Sequence, residues 1–268
     1  MEAVKQGTFF GEHNARFSLA DALLTDTVYT HKYVDWHYHE RPYFTFLLQG
    51  GMIEGNKKEK YICTPGTLLF HHWQDAHYNI KSSQFTRGFH VEVGEGFTET
   101  YDLPDIPASG SRQLYDPFIK ILFRKIYFET RLQGDTMELA VNQLLLNVFD
   151  RLSPGRTAIE KSRPGWLKSI KEALHESSPH TLSLKSLALE AGIHPVHLSR
   201  EFPKFFHATV GEYLRMLKME KALDLMLDSN LSMTDIAYRS GFADQSHLIR
   251  NFRYLLSVKP SVYRRFVR

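Results

Sequence analysis

Ser232 to Tyr263 reads SMTDIAYRSGFADQSHLIRNFRYLLSVKPSVY, and Ser183 to Tyr213, SLKSLALEAGIHPVHLSREFPKFFHATVGEY, is a diverged copy of it. Ser183, Leu187, Ala188, Gly192 and Ile193 fall on Ser232, Ile236, Ala237, Gly241 and Phe242. After one inserted residue, Leu198, Arg200, Phe202 and Tyr213 fall on Leu248, Arg250, Phe252 and Tyr263. Two copies are too few to stack into a solenoid, so the pattern describes one unit used twice.

Each copy predicts two short helices joined by a tight turn. In the first, Leu184, Leu187 and Ala188 form an apolar stripe at helical spacing, and Gly192 supplies the backbone freedom that ends such a helix. Pro195 suits the first turn of a second helix, which buries Leu198, Phe202 and Phe206 on one face and turns Val196, His197, Ser199 and Arg200 outward. In the second copy, Ser232 and Asp235 have capping-box spacing, and Asp244 can cap a helix whose inner face is Leu248, Phe252 and Leu256. Ala188 and Ala237 are small where two helices must cross closely, as in a helix-turn-helix.

With these residues in view, the segment from about Trp166 to Arg268 resembles the DNA-binding domain of the AraC/XylS family of bacterial transcription regulators. IAYRSGFADQSHLIRNFRYLLSVKPSVYRR carries the most specific part of the likeness. The resemblance implies two recognition helices on one chain, held by a spacer helix over Glu212 to Asp228. Successive major-groove faces on one side of DNA lie about 34 Å apart, so the spacer's rigidity matters. The family's base-reading positions fall here on Val196, Ser199 and Arg200, and on Gln245, Ser246, His247 and Arg250. Arg can address guanine bidentately, Gln adenine, and Val a thymine methyl. Arg200 and Arg250 have a second reading, in which the guanidinium makes an internal salt bridge or reaches only the DNA backbone. Arg253, Arg264 and Arg265 are candidate phosphate binders.

The first copy departs from the family pattern. Pro203 lies about two turns into the first recognition helix and removes the hydrogen bond to the Ser199 carbonyl, which predicts a kink. His207 and Ser257 stand where the family has a helix-ending glycine, which predicts strain at left-handed backbone positions. The second copy is therefore expected to be the better-defined reader.

Composition bounds the rest. A chain of 268 residues, 43% hydrophobic, suggests about two domains, each with a core. The opening MEAVKQGTFFGEHNARF lacks the basic start and apolar block of a secretory signal, and no stretch of about 18 apolar residues occurs, so a cytoplasmic protein without a membrane segment is expected. Cys63 is alone, which excludes an intrachain disulfide and suits a small buried core residue. The net charge is only +3, but Pro164 to Arg268 holds 15 Lys and Arg against 10 Asp and Glu. From Leu231 onward the count is 7 basic to 2 acidic, which places the excess in the second copy.

The first third has β texture. Phe44 to Leu48, Lys60 to Thr64, Thr67 to His71 and Phe85 to Val93 predict strands, separated by the turn-forming stretches QGGMIEGNKK, TPG and HWQDAHYN. Short strands at this spacing suggest a barrel or sandwich. HYHERPYFTFLLQG followed by TPGTLLFHHWQDAH resembles the cupin-like sensor half of many AraC-type regulators. Cupin enzymes place a metal-binding Glu shortly after the paired histidines, whereas Pro42, Tyr43 and Phe44 stand there in this chain. His37 and His39 share one face of a strand, and His77 lies where a cupin brings in a further histidine. The three could hold a divalent metal, line an organic-ligand pocket or be hydrogen-bonded in the barrel. His71 and His72 face opposite ways, so at most one of them can join the group.

GEGFTETYDLPDIPASGS has the composition of a connection. Phe118, Ile119, Leu122 and Ile126 within Tyr115 to Leu132, and Met137, Val141, Leu144, Leu145, Val148, Phe149 and Leu152 within Asp135 to Leu152, then form helical stripes that need partners. They suit covering the barrel or pairing between two chains. Ser153 to Gly165 reads as an exposed linker, and Trp166 to Glu176 as the first helix of the last domain.

The expected fold is α+β in two domains: a cupin-like β-barrel with following helices, and an all-α domain with two helix-turn-helix motifs. The expected boundaries are 1–100 for the sensor, 101–153 for a helical connection with dimerisation helices, 154–165 for the linker and 166–268 for the DNA-binding domain, with motifs at about 183–206 and 232–256. By resemblance the chain is a ligand-responsive regulator, most simply an activator. It would bind double-stranded DNA and a small-molecule effector, form a homodimer, engage RNA polymerase and need no catalytic residue. Two rival readings are a cupin-type metalloenzyme fused to a DNA-binding domain, and a constitutive DNA binder whose barrel only mediates oligomerisation. If six or more phosphates are neutralised, DNA affinity falls by about a thousandfold or more between about 50 and 200 mM salt, as a filter-binding or anisotropy series will show; a flat response would exclude the phosphate contacts.

Overall fold

A computed structural model describes residues 2–103, 110–153, 164–227 and 230–267. Two compact units emerge: residues 1–116 with 135–149, and residues 117–134 with 150–268. The first is β-rich and the second helical with two helix-turn-helix motifs, the α+β class expected from sequence.

In the β-unit, β1 (Glu2–Val4), β4 (Tyr33–His39), β9 (His77–Lys81), β6 (Met52–Asn56) and β7 (Lys60–Cys63) form one sheet in that order. A second sheet runs β11 (Arg112–Leu114), β8 (Leu68–His71), β5 (Tyr43–Gln49), β10 (Arg87–Val93), β3 (Ala22–Tyr29) and β2 (Gly11–Ser18). All pairs are antiparallel except β1 with β4. Strand β5 is buried on both faces, and the alternation sorts its residues: Phe44 packs against Phe70 and Phe149, while Tyr43 and Thr45 bond to histidines. Phe149 belongs to α3 (Met137–Leu152), which also meets Phe97 of α1 (Glu95–Thr100) and accepts the Ala20 amide on Glu138.

The four predicted strands are β5, β7, β8 and β10. The stretches read as turns differ. QGGMIEGNKK contains β6, and HWQDAHYN ends in β9. These strands are short, and Glu54, His77 and Asn79 interrupt their apolar pattern.

In the helical unit, α4 (Trp166–Glu176) packs with both helices of the first motif, α5 (Leu184–Glu190) and α6 (Pro195–Phe206). Ile170, Leu187, Ala188, Leu198, Phe202 and Tyr213 meet in their core. The spacer α7 (Val210–Leu225) starts at a capping box of Thr209 and Glu212. The second motif comprises α8 (Met233–Ser240) and α9 (Gln245–Leu256), followed by α10 (Pro260–Val267). Helix α2 (Pro117–Leu132) packs in this unit: Lys120 pairs with Glu220 at 2.6 Å, buried Arg124 pairs with Asp224, and Phe128 stacks on Tyr263. The sequence groups Tyr115 to Leu132 and Asp135 to Leu152 in one helical connection, 101–153, whereas the structure assigns these two helices largely to different units. The basic residues Lys120 and Arg124, four apart on α2, meet the acidic pair Glu220 and Asp224, also four apart on α7, whereas α3 offers the β-unit an apolar stripe. Of the linker expected at 154–165, residues 154–163 lie outside the described residues.

The turn chemistry follows the sequence. Ser232 and Asp235 form the capping box, Asp244 caps α9 through the His247 amide, and Ser183 with Ser186 caps α5. Both first helices end in a Schellman-type closure, with Ile193 N–H donating to Ala188 and Phe242 N–H to Ala237. Gly192 and Gly241 take φ of 65° and 83°, and His207 and Ser257, in the left-handed region at 50° and 57°, cap α6 and α9. Helix α6 runs unbroken through Pro203. The two glycines differ in surroundings: a Cβ on Gly241 meets the His180 backbone at 3.0 Å, and one on Gly192 meets nothing within 4 Å. Gly192→Ala is therefore expected to cost the helical unit about 1–2 kcal/mol for its left-handed backbone, and Gly241→Ala clearly more, in urea denaturation.

Candidate functional site

Two groups of residues are candidates for a functional site, one in each unit. On α6 and α9, burial of Leu198 and Phe202, and of Leu248 and Phe252, fixes which residues face out. Val196, Ser199 and Arg200 on α6 are exposed, as are Gln245, Ser246 and Arg250 on α9. Among the described residues, Arg200 and Arg250 enter no ion pair, so the internal salt bridge weighed from sequence does not form there. Gln245 accepts from the Thr234 hydroxyl at 3.0 Å, which orients its amide. His247 is half-buried, its ring edge-on to Phe242 at 5.3 Å. Arg253 and Arg265 are exposed. Arg264 differs: it is half-buried and donates to the Leu231 carbonyl at 3.2 Å, tying α10 to the start of the second motif. Tyr238 and Tyr254, exposed by 83% and 87%, flank this region and were not singled out by the sequence pattern.

In the β-unit the register brings a polar set inside. His37 lies across from His77, Glu54 across from Asn79, Tyr43 across from His71, and Thr45 across from His90. The first two pairs come from one sheet and the last two from the other, yet they meet: His71 Nδ1 lies 3.5 Å from Glu54 Oε1, and the His71 and His77 rings are 4.9 Å apart. The cluster is therefore between the sheets, and all of His37, His39, Glu54, His71, His77 and His90 are buried. His37 and His39 share the inner face of β4 as their spacing required, and of the pair His71 and His72 only His71 points in. The sequence pattern points to neither Glu54 nor His90, and of the pair from which at most one could join, it is His71 that does. Glu54 sat in a stretch that read as a turn, and no spacing rule links it to a histidine 17 positions away.

Hydrogen bonds orient the rings. His37 Nδ1 donates to the Asp35 carbonyl at 2.7 Å and His77 Nδ1 to the Asp75 carbonyl at 3.2 Å, each aiming Nε2 inward. His77 Nε2 accepts from the Tyr43 hydroxyl at 3.1 Å. The Thr45 hydroxyl links His71 Nε2 and His90 Nδ1, each at 3.2 Å, and Tyr29 closes the chain on His90 Nε2. Asn79 donates to Glu54 at 3.0 Å. His39 Nδ1 and His71 Nδ1 are buried with no hydrogen-bond partner. Two sets of donor atoms lie within 4.8 Å of one another: His37, His39 and His77, and Glu54, His71 and His77. Cys63 is buried, as a small core residue would be, and burial pushes its thiol up.

Burial also sets the charge state. It lowers His39 to about 2 and His77 and His90 to about 3, with neighbouring histidines adding to the effect, and lowers His71 as well. It raises Glu54 to about 8. Unfolded histidines take up protons near 6.5 that the folded interior refuses, so the β-unit loses stability as pH falls from there. Glu54 acts oppositely, costing stability as pH rises from its ordinary 4.5 toward 8. In chelator-treated protein, the melting temperature of the β-unit is expected to drop between about pH 7 and about pH 5, which a calorimetric pH series measures.

Residues 187–265 match the family model described as a helix-turn-helix domain. Among curated relatives, the transcriptional activator AarP of Providencia stuartii is 34% identical over 83 residues, which are 31% of this chain and 62% of AarP. The multiple antibiotic resistance protein MarA of Escherichia coli is 31% identical over 98 residues, 37% of this chain and 77% of MarA. This chain thus spans a little under two thirds of AarP and about three quarters of MarA. Apo ToxT from Vibrio cholerae aligns over 91% of this chain and 98% of its own, at 14% identity and a TM-score of 0.38.

Proposed function

We propose, for a chain that belongs to the AraC/XylS family of transcription regulators, that it reads DNA sequence with two helices and adjusts that reading to a small molecule held by the β-unit. The observation that carries the proposal is the pair of capped helix-turn-helix motifs whose second helices bury a Leu and a Phe and leave Val196, Ser199 and Arg200, and Gln245, Ser246 and Arg250, facing out. Such faces suit base edges, and Arg253 and Arg265 suit phosphates. The Leu231 bond of Arg264 assigns it first to holding α10 in place.

The buried histidine and tyrosine cluster is the place for an effector, because it gathers polar groups inside a unit that contributes nothing to the reading helices. Effector binding changes promoter occupancy only through a difference in affinity between two states of the chain. A homodimer acting as an activator through RNA polymerase in the cytoplasm completes the reading, which assigns no catalytic role to any residue. No described helix is long and apolar enough to cross a membrane.

The test is selection of binding sites from a random DNA pool with the full chain. A defined sequence motif is expected. Arg250→Ala should weaken binding to it by about 1–3 kcal/mol and relax one position, with a smaller loss for Arg200→Ala beside Pro203. A pool that enriches no motif would sink the reading. A far larger loss from Arg200→Ala would reverse the ranking of the two motifs.

A further inference from the structure

We propose that Glu54, His71 and His77 form a binding site for a divalent metal ion of the zinc class, which ties the two sheets of the β-unit together. Glu54 and His77 come from β6 and β9 of one sheet, and His71 from β8 of the other. One donor atom from each lies within 4.8 Å of the others, a span that modest side-chain adjustment closes around an ion about 2 Å from each. Two imidazole nitrogens and a carboxylate oxygen are a donor set that zinc accepts, leaving a fourth position for water.

Two sets of donors share His77, and three observations favour the one with Glu54. It contains a carboxylate, which offsets the ion's charge in a buried place; the set of His37, His39 and His77 has none. Each of its members is also held on the atom that would face away from the ion: Asn79 on Glu54 Oε2, Thr45 on His71 Nε2 and the Asp75 carbonyl on His77 Nδ1. Such outer partners fix the tautomer and the aim of the ligand atom. His71 Nδ1, buried and without a hydrogen bond, points at the Glu54 carboxyl from 3.5 Å. His39, in contrast, stacks on Phe9 at 5.3 Å, and its Nδ1 has no partner to set its tautomer.

The hydrogen-bond chain through Thr45 has two proton arrangements. An ion on His71 Nδ1 selects the one in which His71 Nε2–H donates to Thr45, Thr45 donates to His90 Nδ1, and His90 Nε2–H donates to Tyr29. At His77, the ion replaces the hydrogen bond from the Tyr43 hydroxyl on Nε2.

The full chain, stripped with a chelator and titrated with Co²⁺ as a visible-light probe, tests this without DNA, so the outcome is independent of the regulator reading. The wild-type protein is expected to bind one equivalent with visible d–d absorption, and excess Zn²⁺ should displace it and raise the melting temperature of the β-unit. Glu54→Gln, nearly isosteric and checked for folding by circular dichroism, should lower Co²⁺ affinity by about a hundredfold, while His39→Gln should change it by less than about threefold. Absence of saturable binding by the wild-type protein would overturn the proposal. An equal loss in both variants would overturn it too, by moving the ion to His37 and His39.

Discussion

The helical unit depends on a small repeated constraint, the burial of a Leu and a Phe four residues apart on the second helix of each motif. Leu198 with Phe202, and Leu248 with Phe252, are wholly out of solvent, and a helix so anchored has no freedom to rotate. That fixed rotation decides which residues of α6 and α9 are turned to solvent. The caps fix the other coordinate, where each helix begins. Asp244 holds the His247 amide and His194 the Val196 amide, so the first exposed turn of α9 and of α6 starts at a set height.

This part of the molecule was legible because its signals are local. A stripe at i and i+4, a cap, a left-handed glycine and a second proline-started helix all lie within about a dozen residues of one another. The β-unit was legible only in part. Strands rich in Phe, Leu and Val could be read, but β6 and β9 are short and mix polar residues such as Glu54, His77 and Asn79 with apolar ones. The same holds for the site. His37 and His39 share a face by simple alternation, whereas the approach of Glu54 to His71 is a product of two sheets closing on each other, which no periodicity in one strand encodes. Pro203 was legible as a missing hydrogen bond, and α6 nonetheless continues past it to Phe206, where Phe202, Phe206 and Tyr213 pack together. Packing there outweighs a single lost backbone bond.

The β-unit also shows how cross-strand register converts an apolar sandwich into a polar interior. Tyr43 and Thr45 point inward from the same strand whose other face carries Phe44, so a single strand serves the hydrophobic contact with α3 and the histidine cluster. A slip of one residue would exchange the two faces. The polar cluster and the docking of α3 are thus specified together.

Helix α2 has a consequence for how such proteins can be recombined. The helix-turn-helix family model matches only residues 187–265, and a cassette cut there looks self-contained in sequence. Yet Arg124 and Lys120, more than fifty residues upstream, sit against Asp224 and Glu220 on α7, and Arg124 also bonds to Tyr263 near the end of the second motif. Grafting only the last third onto another sensor would leave α7 with two acidic groups deprived of their cations and an apolar patch around Tyr263 uncovered. The helical unit of this chain is discontinuous in sequence, and a chimera that keeps its packing intact carries α2 along with the helices it braces.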